Sequence, residues 1–192
     1  MTAIQVVGID LSLTSTGLAE IRWGDPGSGG AHTVCTRRIE SNGRADATLA
    51  DRQKRLHRLL RSVYDWAGGA DLVVIEGPAF SRTTGHMHDR SGLWWMVVDY
   101  LVEEFGSLIV EVTPTSRCRY ATGKGNAAKD QVLAAAVKRY PDVDVTGNDV
   151  ADALVLAAMG ARHLSHPIEA SLPQTHLDAM TKIRWPERIQ TS

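Results

Sequence analysis

The chain has 192 residues, 43% of them hydrophobic and 22% charged, with a formal net charge of −1. That suits one domain with a sizeable core and excludes a disordered or membrane-embedded composition. No apolar run is long enough to span a bilayer, and no basic stretch followed by a long apolar segment opens the chain, so a cytoplasmic protein is expected. The two cysteines, Cys35 and Cys118, are far apart and have no metal-type spacing, which suits a reducing compartment.

Ile4 to Ile9 is predicted as a central strand and Leu18 to Trp23 as its antiparallel neighbour, joined by a hydroxyl-rich turn through Ser12, Thr14, Ser15 and Thr16. Asp25 to Ala31 is a Gly- and Ser-rich loop, and Thr33 to Ile39 a third strand completing a meander. From Leu49 the apolar period becomes helical, with Leu49, Leu56, Leu59, Leu60, Val63 and Ala67 on one stripe. Gly68 and Gly69 end that helix. The run 71–76 reads as a buried parallel strand closing on Glu76, after which Gly77 and Pro78 turn the chain.

Residues 79–90 read as a polar loop, and Ser91 to Phe105 as a helix with Leu93, Met96, Val97, Tyr100 and Leu101 facing inward. Ser107 to Val112 is a further strand. Thr115 to Asn126 is assigned as a loop, Ala127 to Arg139 as a helix with Val132, Leu133, Ala136 and Val137 on its core side, and Asn148 to His163 as a strongly apolar last helix. Prolines 167, 173 and 186 interrupt the remaining chain, which reads as an appendage on the domain surface. The expected organisation is a domain over 1–163 and a C-terminal extension over 164–192, packed on the domain or trailing from it. Its fold class is α/β, with a mixed sheet of three antiparallel strands followed by parallel ones, flanked by helices.

Apolar residues before Asp10 are explained by burial, but Asp10 itself is not, because an isolated buried carboxylate is costly unless paired or metal-bound. Glu76 also ends an apolar strand. Parallel neighbours would bring both acids to one sheet edge, where α/β ligand sites gather. Asp149 and Asp152 are three apart and so share a helix face, and the alanines around them let that helix approach the sheet. Converging carboxylates repel unless cations join them, and oxygen ligands suit Mg²⁺ or Mn²⁺ rather than zinc. Two such ions about 4 Å apart can activate a water and stabilise the leaving oxygen of a phosphodiester.

Basic residues gather on two stretches despite the near-neutral total. Arg117, Arg119, Lys124, Lys129, Lys138 and Arg139 have Asp130 as the only acid among them, and Arg52, Lys54, Arg55, Arg58 and Arg61 form a second run. Patches of this kind hold phosphates even on a neutral protein.

As a set, Gly8-Ile9-Asp10 with Thr16-Gly17, Val74-Ile75-Glu76, the 122–132 segment containing Thr122-Gly123-Lys124-Gly125-Asn126, and Asn148-Asp149-Val150-Ala151-Asp152 resemble the RuvC family of Holliday-junction resolvases. The resemblance spans roughly residues 4–163 and looks closest to the divergent bacteriophage members. It implies an RNase H-like fold and a Mg²⁺-dependent endodeoxyribonuclease active on four-way junctions. It also implies a homodimer and a bacterial or phage-infected cytoplasm. Products would carry 5′-phosphate and 3′-hydroxyl ends.

The resemblance makes Asp10, Glu76, Asp149 and Asp152 ligands for two Mg²⁺ ions per site, with Mn²⁺ able to substitute. Lys129 becomes the basic residue at the scissile phosphate. DNA contacts are expected from Phe80, Arg82, His86, Arg117, Arg119, Lys124 and Lys129, with Phe80 in a slightly shifted register as a candidate base-stacking group. Trp95 and Val98 point to a dimer interface on the helix after the glutamate strand. Two other readings use the same residues: a less selective RNase H-like nuclease on flaps, forks or hybrids, and a noncatalytic branched-DNA-binding module. No convincing paired phosphate loops support an actin- or sugar-kinase-like ATPase, so neither a nucleotide cofactor nor a membrane partner is expected.

Overall fold

The structure, a computed structural model, describes residues 3–24, 32–78 and 86–187. The loop expected at 25–31 and residues 79–85 of the loop expected at 79–90 lie outside them. Strands β1 (Ile4–Asp10), β2 (Ser15–Trp23) and β3 (His32–Glu40) lead into helix α1 (Leu49–Ala67) and strand β4 (Leu72–Glu76). Helix α2 (Met87–Phe105), strand β5 (Leu108–Val112) and helices α3 (Pro114–Thr122), α4 (Lys129–Arg139) and α5 (Asn148–His163) come next. A short α6 (Gln174–Leu177) and a 3₁₀ turn at Met180–Lys182 complete the described chain.

The sheet order is β3-β2-β1-β4-β5, antiparallel within the meander and parallel from β1 to β4 and β4 to β5. This is the expected mixed α/β architecture, an RNase H-like fold. Alternation along the strands divides the core in two. Val6, Leu72, Val74, Val110 and Val112 face α5, with α3, α4 and the tail packed around it. Val7, Ile9, Val73 and Ile75 face α1 and α2 on the other side.

Helix α5 is buried from Val150 to Ala161. Its seat on the sheet is made by glycines rather than by interlocking side chains. A Cβ at Gly8 would stand 2.1 Å from the Ala153 carbonyl oxygen, and one at Gly17 would stand 1.9 Å from that of Asp149. Gly160 repeats the fit from the helix side, where a Cβ would lie 2.6 Å from Val74 and 2.7 Å from Val6. Such distances leave no room for a side chain at these positions: backbone meets backbone at Gly8 and Gly17, and the helix backbone at Gly160 meets the side chains of Val6 and Val74.

The structure corrects several boundaries. Residues 114–122 form α3 instead of a loop, with Thr113 accepting from the Ser116 amide at 3.2 Å, Pro114 in the first turn and Gly123 closing the end at φ 79°. A Thr–Pro start and a left-handed Gly stop are helix signals, but Thr113-Pro114 fits the close of the preceding strand equally well. Helix α2 begins at Met87, four residues before the predicted Ser91. Arg52 Nε donates to Asp89 at 2.9 Å, fastening that added turn to α1.

Leu49 is 78% exposed and Val137 48% exposed, so neither belongs to the core stripe assigned to it. Leu49 lies at the tip of α1, ahead of the buried residues that start at Leu59. Of the two placements expected for the C-terminal extension, its described part packs on the domain. Glu169 is buried and accepts from Tyr120, Tyr140 and Arg162, while Ile168, Leu172, Met180, Ile183 and Trp185 pack on the α5-side core.

Because the clash at Gly8 and Gly17 is with backbone, rotamer changes cannot relieve it. Gly8→Ala or Gly17→Ala is expected to cost about 3 kcal/mol or more of folding free energy, as overpacking of a tight core does. Urea unfolding of each variant against wild type measures this.

Candidate active site

Parallel pairing of Ile9 with Ile75 sets Asp10 and Glu76 side by side at the carboxyl ends of β1 and β4. Both have the parity of Val6, Gly8 and Val74, so both side chains point to the face that α5 covers. The first turns of α5 bring Asp149 and Asp152 over the same edge, since Gly17 lies against the Asp149 backbone and Gly8 against Ala153.

Asp10 is pushed up from its usual range to about 8. Burial is the main cause, repulsion from Glu76, Asp152 and Asp149 adds to it, and Arg117 opposes it. Asp152, nearly fully buried, is raised to about 7, again mainly by burial; Arg117 and Lys129 pull it down while Glu76 and Asp149 push it up. These mutual influences bring all four predicted carboxylates, with Lys129, into one electrostatic neighbourhood.

Further residues hold the acids in place. Ser15 donates to Asp149, and Arg38 Nε donates to Ser15 Oγ at 2.9 Å while standing 3.8 Å from Asp149. Thr16, wholly buried, donates to the Ser12 carbonyl at 2.8 Å and accepts from its amide at 3.1 Å, closing the turn after Asp10. Trp94 Nε1 donates to the Glu76 carbonyl at 3.0 Å, tying α2 to the end of β4. Sequence reasoning identifies the hydroxyl-rich turn but not the duties of Ser15, Arg38 and Trp94, because the partners are far away in the chain.

Arg117, expected from the sequence to contact DNA, lies elsewhere. It is 5% exposed, and its guanidinium donates through Nε to Glu76 and through Nη1 to Asp152. Helix α3 delivers it into the acidic cluster, where the charge is compensated, rather than to the surface. The signal that could have found it is α3 itself, on which Arg117 shares a helix face with buried Tyr120 and Ala121. Arg119 is half-buried, and Lys124 and Lys129 are exposed. His86 precedes α2 and is largely exposed, with Nδ1 3.9 Å from Asp89. Phe80 and Arg82 lie outside the described residues.

Trp95 is 64% exposed on α2, whereas Val98 is half-buried and packs against the α1–α2 core, which weakens its assignment to an interface. A cleft of about 770 Å³ opens beside the Ser12–Thr14 turn. Lys54, Arg58, Arg90 and His86 line it, with Arg44, which is paired to Asp46, and with the acids Asp51 and Asp89. Of the second basic run, Arg52 is paired to Asp89, and Arg55 donates to the Leu13 and Ser41 carbonyls, so Lys54 and Arg58 are the members that add charge to this cleft.

The donors at the sheet edge are oxygens only, and three carboxylates raise Asp10 where Arg117 alone lowers it, a set that fits a hard divalent cation. Among the described residues, no group of three or more His, Cys, Asp or Glu side chains is already arranged around a metal position. Arg117 engages Glu76 and Asp152 instead. No described helix is long and apolar enough to cross a membrane.

The sequence matches no known protein-family profile and no curated protein. The fold is similar to solved structures. Thermus thermophilus RuvC aligns with a TM-score of 0.64 at 18% identity, over 85% of this chain and 98% of that one. The same protein in complex with a Holliday junction substrate aligns at 0.58 and 15% identity, over 85% and 97%. Fowlpox virus resolvase, in complex with substrate Holliday junction DNA, aligns at 0.53 and 12% identity, over 84% and 99%. These likenesses agree with the RNase H-like fold that the family resemblance implies and with the mixed sheet expected from the element order.

The raised pKa of Asp10 affects stability with a definite sign. The unfolded chain releases this proton near 3.8 and the folded protein only near 8, so metal-free stability contributed by this group falls as pH rises between them. Asp10→Asn removes that loss. In EDTA its melting temperature should therefore exceed that of wild type, by a margin that is small near pH 4 and grows until pH 8. Thermal melts across this pH range check it, and a constant margin would contradict the assignment.

Proposed function

We propose that this chain is a structure-selective DNA endonuclease that resolves Holliday junctions, with other branched DNA as further substrates, by metal-assisted phosphodiester hydrolysis. The observation that carries the reading is the electrostatic meeting of Asp10, Glu76, Asp149 and Asp152 at one sheet edge. The shared fold, solved elsewhere with Holliday junction DNA, supports the choice of substrate. Products with 5′-phosphate and 3′-hydroxyl ends are implied by the family resemblance.

Asp10, Glu76, Asp149 and Asp152 would hold Mg²⁺, two ions per site, with Mn²⁺ as a substitute. Divalent ions bound there supply a water of lowered pKa and charge stabilisation for the departing 3′ oxygen. The chain's own residues do the rest. Ser15 and Arg38 orient Asp149. Lys129, exposed at the start of α4 and electrostatically coupled to Asp152, offsets charge on the phosphate. The basic cleft beside Ser12–Thr14 gives the DNA backbone a path away from the acids. Trp95, a large exposed aromatic on α2, fits a homodimer interface through which two sites address two strands.

Asp10→Asn is expected to abolish cleavage of a labelled four-way junction in Mg²⁺ while gel-shift binding in Ca²⁺ persists. Full cleavage by that variant would sink the reading. A panel of four-way, forked, flap and linear DNA ranks the substrates, and the four-way junction should be cut fastest. Light scattering should return a dimer at micromolar concentration that Trp95→Ala weakens; a wild-type monomer would remove the paired-site part of the proposal.

A further inference from the structure

Arg117 is buried at the meeting point of two acids from different elements, Glu76 of β4 and Asp152 of α5. A planar guanidinium presents its N–H groups as a rigid fork, so one arginine can satisfy two carboxylates at once. It thereby does for Glu76 and Asp152 what a bridging divalent ion does: it offsets their charge and occupies one oxygen of each, Oε2 of Glu76 and Oδ1 of Asp152. The carboxylates gain compensation for burial, and the guanidinium gains partners in a place with little water. A metal ion bound to the same oxygens would lose those lone pairs to the N–H donors and would meet a like charge at close range.

We propose that Arg117 is a resident cation competing with the divalent ion for Glu76 and Asp152, so that these carboxylates hold either the guanidinium or the metal. This rests on the reading of the acidic cluster as a metal site. Metal loading then requires Arg117 to release both acids. Arg117 is in this sense a positioning residue: it keeps β4 and α5 together before loading and sets the metal concentration at which loading occurs. Its neighbours on the same stretch do not share the role, since Arg119 is only half-buried and Lys124 is exposed.

The test uses the full chain stripped of metal. Mn²⁺ binding to wild type, Arg117→Gln and Arg117→Lys is measured by calorimetry and by loss of the free Mn²⁺ resonance signal. Arg117→Gln should bind Mn²⁺ about tenfold more tightly or better, because a positive charge has been taken from between two ligands. Arg117→Lys, which keeps the charge, should stay within about threefold of wild type. Equal or weaker binding by a folded Arg117→Gln overturns the proposal.

A second measurement uses wild type alone. The Nε–H signal of Arg117, assigned by through-bond correlation to its own side chain and backbone, is followed by NMR during Mg²⁺ titration. It should shift and lose its protection from solvent exchange as the site fills. An unmoved, protected signal at saturating Mg²⁺ overturns the competition while leaving the metal-site reading standing. If neither wild type nor Arg117→Gln binds metal, both fall together.

Discussion

Helix α5 rests on the backbone of β1 and β2, and the acidic edge depends on that contact. Gly8 and Gly17 leave no space for a Cβ beneath the Ala153 and Asp149 carbonyls. Helix–sheet packing through large side chains would hold the layers about 10 Å apart, too far for short aspartates to meet strand-end acids. Removing the side chains from the contact brings the first turns of α5 down to the ends of β1 and β4. The alanines of α5 and Gly160 continue the same close fit along the helix. Small residues at this layer therefore serve the site as much as the core.

Bringing acids together has an electrostatic cost that the surrounding residues share unevenly. Asp149, at the more open end, is served by Ser15 and Arg38. Asp152, deeper, is served by Arg117, with Lys129 acting from the surface. Burial is the main reason Asp10 is held so high, and repulsion from three carboxylates against one arginine adds to it. Asp10 is also the acid carried by the central strand of the sheet. An added cation there would relieve repulsion from all three neighbouring carboxylates.

Strand order and the meeting of the four candidate acids were legible in the sequence because each is carried by a local signal: alternating or continuous apolar runs, a carboxylate at the ends of β1 and β4, and Asp149 with Asp152 on one helix face. The glycines were legible only as part of a motif. Their purpose needs the helix that arrives some 130–145 residues later, and a sequence holds no distance between the two. Helix α3 was hidden for another reason. Its Thr113–Pro114 start also fits a strand end, and its polar, basic surface has no clear apolar period. Missing the helix meant missing which way Arg117 points, so a charge destined for the interior was read as a surface phosphate contact.

Residues 164–187 combine both effects, a distant partner and a weak local pattern. Their prolines and broken periodicity suggest an appendage, yet Glu169 is the one buried acid outside the candidate site among the described residues. Tyr120 of α3 donates to it at 2.9 Å, Tyr140 after α4 at 2.6 Å, and Arg162 of α5 at 3.0 Å. Burial and the Glu169 charge push both phenols well above their usual range, so they remain neutral donors at any ordinary pH. His176 adds a 2.8 Å contact to the Tyr120 carbonyl. Tyr120 lies one helical turn beyond Arg117, so a segment that never reaches the acids fixes the helix that delivers their arginine. A polar network of this kind, with each member partnered, holds α3 in one register against α4 and α5, and a slip of that register would swing Arg117 away from Glu76 and Asp152.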